Sequence, residues 1–253
     1  MDAAGLFEQL DVARAPGDLV ALGGALDTAT LVAAYRSGCF PWPHSGRDAR
    51  ALERQARRLV RSGAVQRLPG DAEHQSLPWC SPDPRAILLA NQLTVSRSLR
   101  QRLRHCGWHT TVDEAFEAVV AGCADRSETW ITPAMQAAYG RLHASGVAHS
   151  LEVWEGDRLV GGLYGVLTGR VFSGESMFHR ETDAAKVAVV ALCDRLVEAG
   201  VVLLDTQQAT DHLARLGQVV VRREEYLTVL LALRDQPAVL PSGRRPAKAS
   251  SRA

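Results

Sequence analysis

Two carboxylates sit where their neighbours are small and apolar. Glu175 lies inside FSGESMF (Phe172 to Phe178), between Gly174 and Ser176, and Asp205 lies near the end of LLDTQ (Leu203 to Gln207). An ionisable group in an apolar strand costs free energy unless it is paired or used. Gly174 and Ser176 leave backbone room for a ligand beside Glu175. Gln207 follows Asp205 by two, a spacing that in a strand turns both side chains to one face. Structural readings compete at both places: Asp205 as a cap for the loop into the next helix, and Glu175 as the partner of Arg180 or Arg170 at a strand end.

Other catalytic patterns are missing. No Ser-His-Asp triad can be read, no HExxH metal spacing occurs, and Gly23-Gly24 and Gly161-Gly162 lack the GxGxxG spacing of a phosphate loop. Those glycines read as turn or close-packing positions. His212 beside Asp211 reads as a hydrogen-bonded structural pair ahead of a catalytic one.

The elements that must position these residues follow from pattern. Strands are expected at 149–155, 158–167 and 171–177, separated by Gly-Asp and Thr-Gly turns. A long helix over 184–199 comes next, then a strand over 201–205, a short helix near 210–216 and a helix over 223–233. Upstream, a helix runs from Asp27 to Ser37 and stops at Gly38. Phe40-Pro41-Trp42-Pro43 must be extended. Residues 85–89 read as a strand and 96–105 as a basic helix. Asp113 is expected to cap a helix through Gly122, and Pro133 to open one that runs to Ser145.

The chain has 253 residues, 46% of them hydrophobic, enough for one large domain or two unequal ones. A net charge of +1 gives no global nucleic-acid signature, although a local basic face remains open. Five scattered cysteines without a CxxC pair argue for a reducing compartment and against a disulfide scaffold or zinc site. The N-terminus has no apolar core of signal-peptide length, and no apolar run could span a bilayer. A cytoplasmic protein with no membrane partner is expected.

The order and wording of the motifs resemble the leucyl/phenylalanyl-tRNA–protein transferase family. They are LVALGGALD (Leu19 to Asp27), AYRSGCFPW (Ala34 to Trp42), SPDPRAIL (Ser81 to Leu88), TWIT (Thr129 to Thr132), AHSLEVW (Ala148 to Trp154), LVGGLYGV (Leu159 to Val166), FSGESMF, LLDTQ and TDHLARLG (Thr210 to Gly217). The resemblance spans about Leu19 to Leu230. It implies an α+β protein: a small irregular N-terminal domain over 1–80, then a larger C-terminal domain over 81–235 with the N-acyltransferase fold that acetyl-CoA enzymes also use. Residues 236–253 are expected to be a disordered basic tail. Periodicity alone gives only α+β.

The activity implied is transfer of leucine, phenylalanine or sometimes methionine from its tRNA ester to the α-amino group of a protein that begins with Arg or Lys, feeding an N-degron pathway. This is ester aminolysis, in which an enzyme must mainly align two substrates and manage one proton. No cofactor or metal is implied, and a monomer is expected. Asp205 and Gln207 match the family's proposed proton-handling pair, with Gln207 orienting the acceptor amine and Asp205 as electrostatic or general-base partner. Glu175 matches an active-site position that holds the acceptor's N-terminus or the ester end. Trp42 and Trp130 match tryptophans that stack on the 3′-terminal adenosine; without the resemblance both would read as core. Leu163, Phe172, Met177, Leu192, Leu196 and Leu204 match the amino-acid pocket by position. Leu163, Leu192 and Leu196 stand where the family can carry Met or Phe, so pocket shape should differ here. Arg97, Arg100, Arg102 and Arg104 fall where the family has a basic cluster for the tRNA backbone.

One stretch departs from the family. Residues 46–78 lengthen the connection between FPW and SPDPR, and Arg47 to Arg67 within them has helical composition and a basic face. That face could extend an RNA surface, be a solvated face, or bind another protein. Cys80 stands where a tryptophan is common, and Trp79 covers part of that change. Arg85 anchors a junction or touches RNA. Two other function classes compete with the transferase. An acyl-CoA-dependent N-acetyltransferase would need a glycine-bearing pyrophosphate loop, and HRETDAAK before the long helix lacks its glycines. A non-catalytic tRNA or N-terminus adaptor would have no need of Glu175, Asp205 and Gln207.

Overall fold

Alternating side chains on the long central strands send apolar groups to both faces, so helices must cover the sheet on both sides. The computed structural model describes residues 3–43, 49–70, 74 and 76–248. Its helices are α1 (Ala3–Phe7), α2 (Thr28–Arg36), α3 (Ala49–Arg61), α4 (Arg97–His105), α5 (Phe116–Ala124), α6 (Pro133–Ala144), α7 (Ala184–Glu198), α8 (Asp211–Ala214) and α9 (Arg223–Leu233). Its strands are β1 (Leu19–Gly23), β2 (Phe40–Pro41), β3 (Gln66–Leu68), β4 (Pro78–Cys80), β5 (Arg85–Leu89), β6 (His109–Val112), β7 (Ala148–Glu155), β8 (Arg158–Thr168), β9 (Val171–His179), β10 (Leu203–Gln207), β11 (Val219–Val221) and β12 (Arg245–Pro246). No helix among the described residues is long and apolar enough to cross a membrane.

The strands form two sheets. The larger has the order β11-β5-β10-β9-β8-β7-β6-β12, and the smaller the order β2-β4-β1-β3. In the larger sheet, among the described residues, only β9 and β10 pair in parallel. On β8, Val160 and Leu163 join the cluster of α7 on one face, while Leu159 and Tyr164 join that of α5 and α6 on the other. Gly161 and Gly162 allow this close sandwich. A Cβ on Gly161 would lie 2.7 Å from Cβ of Ala184 on α7, and one on Gly162 would lie 3.1 Å from Val119 on α5. They are close-packing glycines. One apolar core runs from Phe7, Leu31, Tyr35 and Trp79 to Phe116, Tyr139, Tyr164 and Tyr226, so the two sheets are packed on a shared interior.

Local rules place most elements. Asp27 caps α2 by accepting from Thr30 N at 2.9 Å, and Gly38 takes φ +78° just past its end. Ser96 caps α4, and Thr132 with Pro133 opens α6. Asp113 does not cap α5. It takes φ +63° and turns its carboxylate to Ser150 N (2.8 Å) and His149 Nδ1 (2.7 Å), tying β6 to β7 instead. The expected disordered tail is also corrected through Lys248: Leu240 and Ala247 are buried and Arg245–Pro246 pairs with β6. The free edge of β6 and two apolar side chains supply the reason. Residues 249–253 of that tail, and 46–48, 71–73 and 75 of the inserted stretch, lie outside the described residues.

Candidate active site

β9 and β10 pair only from Leu203 with Val171 to Asp205 with Ser173, while β9 itself continues to His179. Both strands carry a register shift at this point. Opposite β8, Tyr164 faces Ser176 and Gly165 faces Gly174, which leaves Glu175 without a partner. Opposite β5, Asp205 faces Ile87 and Gln207 faces Ala86, which leaves Thr206 without one. Bulges re-aim side chains in this way. A cavity of about 710 Å³ opens here, lined by both Glu175 and Gln207.

Glu175 is buried, accepting from Tyr139 Oη at 2.7 Å and from Gln207 Nε2 at 2.8 Å. Tyr139 Oη lies 2.6 Å from Tyr35 Oη, so the chain of hydroxyls reaches back to α2. Burial pushes the Glu175 carboxyl up to about 7; the tyrosine hydrogen bonds pull the other way, and the nearby Asp205 charge adds to the rise. Burial and the Glu175 charge also raise Tyr35, Tyr139 and Tyr164 well above the usual phenol range. Neither Arg180 nor Arg170 bonds Glu175; Arg180 instead donates to Leu159 O.

Asp205 is sealed off. Its side chain is 0% exposed and accepts from Arg85 Nε (2.9 Å) and Nη2 (2.7 Å), Tyr226 Oη (2.9 Å), Ser173 Oγ (3.2 Å) and Gln207 N (3.0 Å). Burial works against the Arg85 guanidinium, but Asp205 and Tyr226 hold it above its ordinary value. The expected common face of Asp205 and Gln207 is therefore corrected. The bulge turns Asp205 into the interior, while Gln207 takes φ +63° and lines the cavity. A glutamine in that left-handed region costs on the order of 1–3 kcal/mol, and the bond from its N–H to Asp205 holds it there. With Nε2 given to Glu175, Gln207 Oε1 has no hydrogen-bond partner among the described residues.

Family profiles decide the affiliation of this geometry. The profile described as leucyl/phenylalanyl-tRNA protein transferase matches residues 87–231, and that of its N-terminal domain matches 24–49. The chain belongs to the leucyl/phenylalanyl-tRNA protein transferase family. It is an aminoacyltransferase. Relatives bearing the family's name include one from Stutzerimonas stutzeri, 44% identical over 92% of each chain. Another, from Pseudomonas paraeruginosa, is 43% identical over 94% of this chain and 93% of its own. A third, from Shewanella baltica, is 41% identical over 88% of this chain and 84% of its own.

The remaining site residues fall into three groups. Trp42 and Trp130 are half-buried and both line the cavity. Leu163, Met177, Leu192 and Leu204 line its apolar part, with Ala185 and Val189. Phe172 and Leu196 are fully buried and do not reach it. Phe172 precedes the bulge and lies where a Cβ on Gly165 would meet its ring at 2.4 Å, and Leu196 sits a turn beyond Leu192 on α7. Arg97, Arg100, Arg102 and Arg104 are exposed on α4, with Arg102 3.8 Å from Asp183.

Tyr35, Tyr139 and Arg126 have no signal in the sequence. Tyr35 and Tyr139 are 104 positions apart and meet only in the fold. Arg126 on the rim donates to Met177 O and Ser176 Oγ. Arg85 is an anchor, joining β5 to β10 and to Gly38 O at 3.2 Å. His212 lines the cavity, and its buried Nε2 has no hydrogen-bond partner among the described residues; burial first, then Lys186 and His179, lower its pKa. The expected bond to Asp211 is not formed among the described residues. Among the described residues, no three His, Cys, Asp or Glu side chains gather as a metal group would need.

Proposed function

We propose that the chain moves leucine or phenylalanine, with methionine as a further donor, from the 3′ ester of its tRNA to the α-amino group of proteins that begin with Arg or Lys. It does so as a monomer in the cytoplasm, within an N-degron pathway. The observation that carries this reading is the Glu175–Gln207 pair at the head of a cavity with an apolar floor. The acceptor amine attacks the ester carbonyl carbon, a C–N bond forms, the C–O bond to ribose breaks, and the amine proton ends on the ribose oxygen. Gln207 Oε1 accepts from the attacking amine and orients it. Glu175, with a carboxyl titrating near 7, takes the proton and returns it to the leaving oxygen. Asp205 is a positioning residue: it holds the Gln207 backbone and does not meet the substrate.

The other residues divide the two substrates between them. Trp42 and Trp130 stack on the terminal adenosine. Leu163, Met177, Leu192 and Leu204 receive the donor side chain, backed by Phe172 and Leu196. Asp125, exposed on the rim, offers a carboxylate to the cationic side chain of the acceptor. Arg97, Arg100, Arg102 and Arg104 of α4 contact tRNA phosphates. The split β9–β10 pair, with α7 beneath it, supports the N-acyltransferase fold. An acyl-CoA substrate is disfavoured, because the loop before α7 presents Glu181 and Asp183, and Asp183 is engaged by Lys186 at 2.7 Å.

The test is transfer of labelled amino acid from Leu-, Phe- and Met-tRNA to a peptide starting with Arg, beside an Ala-starting control. Selective labelling of the Arg peptide supports the reading, and equal labelling of both removes the acceptor specificity. No labelling, with acetyl-CoA also tried, overturns transfer itself.

A further inference from the structure

Residues 50–86 fall between the two family profiles, yet the structure builds ordered elements from this stretch. β3 adds to β1 in parallel as an edge strand, pairing Ala21 with Gln66 and Gly23 with Leu68. α3 lays buried Ala56, with Leu59 and Val60 beside it, against Leu22 and Val65. At about 100° per residue, Arg50, Arg54, Arg57, Arg58 and Arg61 fall in an arc of roughly 100° on the opposite side. All five are exposed, and Glu53 is the one acidic residue of the helix.

This arrangement does not serve the helix. Arg50, Arg54 and Arg58 repeat at the spacing where like charges repel, and no acidic residue occupies the first turn. Among the described residues, Arg50, Arg54, Arg58 and Arg61 form no ion pair or hydrogen bond, while Arg57 reaches Ser76 Oγ at 3.2 Å. The helix packs on the same small sheet that leads into the cavity rim. In the small sheet, β2 is two strand spacings, about 10 Å, from the β1 on which α3 packs, and β2 leads directly into Trp42 on the rim.

We propose that the outer face of α3 is a phosphate-binding surface for the acceptor arm of the aminoacyl-tRNA, added to the family's core. This rests on the transferase reading above. For an RNA strand whose last nucleotide sits between Trp42 and Trp130, the rim at Trp42 is a direct way out of the cavity. Five guanidiniums without a lysine suit phosphate oxygens, to which their planar fork donates in pairs. An acidic protein is the less favoured occupant, because nothing requires it to pass this rim.

The experiment replaces Arg50, Arg54, Arg58 and Arg61 together with Gln, and in a second protein with Lys. Binding of aminoacyl-tRNA is titrated from low to physiological salt. The Gln protein should bind roughly tenfold more weakly or worse, with the slope of log affinity against log salt reduced by about one per lost phosphate contact. The Lys protein should keep most of that slope. Transfer from an aminoacyl-adenosine, which has no acceptor arm, should be the same in all three proteins. Equal tRNA affinity and slope in wild type and Gln protein overturn the proposal. Absence of transfer from either donor in the wild type would instead remove the transferase reading, and this proposal with it.

Discussion

Glu175 and Asp205 occupy matching places, each at a bulge on one of two neighbouring parallel strands and each buried, yet their surroundings differ in kind. Asp205 has a guanidinium and a full set of donors, with no way out to the cavity. Among the described residues, Glu175 has only neutral donors, and it borders the cavity. The lesson is that burial alone does not make a carboxylate reactive. A cationic partner turns a buried carboxylate into a structural anchor, and its absence brings the group to titration near neutrality.

The sharpest break in this comparison comes from removing the cation. Arg85→Met leaves Asp205 buried and uncompensated, with an expected loss of about 3–5 kcal/mol of stability. Denaturant unfolding measures it. The double change Arg85→Met with Asp205→Leu should recover most of that loss while transfer stays low, because Gln207 N has lost its acceptor. A double variant with full transfer would falsify the positioning role of Asp205.

Glu175→Gln tests the other side. Transfer should fall by roughly 10²–10⁴-fold, while stability at pH 8 should rise by about 3 kcal/mol. Folded Glu175 titrates at about 7 and its ordinary value is 4.5. The folded chain thus holds an extra proton between those values. The wild type has its full stability below pH about 4.5 and loses some as pH rises through about 7. The stability gap should therefore close near pH 5, and a gap independent of pH would contradict the burial argument. In the rate profile, the wild type should gain activity through about pH 7, and the Gln variant should lack that limb.

A smaller change sharpens the contrast further. Tyr139→Phe removes a donor to Glu175 that favours its charged form, a bond of about 1.5–3 kcal/mol. The rate limb should move to higher pH; an unmoved limb would mean that the hydroxyl chain from Tyr35 does not tune the carboxyl. The smallest expected effect lies away from both carboxylates. Trp42→Ala should weaken aminoacyl-tRNA binding by about 1–3 kcal/mol and leave the acceptor peptide's KM unchanged. A change confined to the acceptor would reassign the ring.

By itself, the sequence determined the covered meander, the helix stops and the two carboxylates, because alternation, caps and small neighbours act over a few residues. Asp27 as a cap, Gly38 as a stop and Glu175 between Gly174 and Ser176 are all of this local kind. The family resemblance, not local pattern, pointed to Trp42, Trp130, Leu163, Met177, Leu192 and Leu204, and one cavity gathers them. It did not separate them from Phe172 and Leu196, since depth along a helix or strand is set by what packs behind it. Only the tertiary structure decided which carboxylate faces the cavity. That depends on two bulges, and a bulge depends on hydrogen-bond register between strands distant in sequence. It likewise decided that Arg85 closes on Asp205, 120 positions away, and that Tyr35 and Tyr139 reach Glu175. Such contacts carry no local pattern, because their energy comes from desolvation and partnering that exist only once the chain has folded.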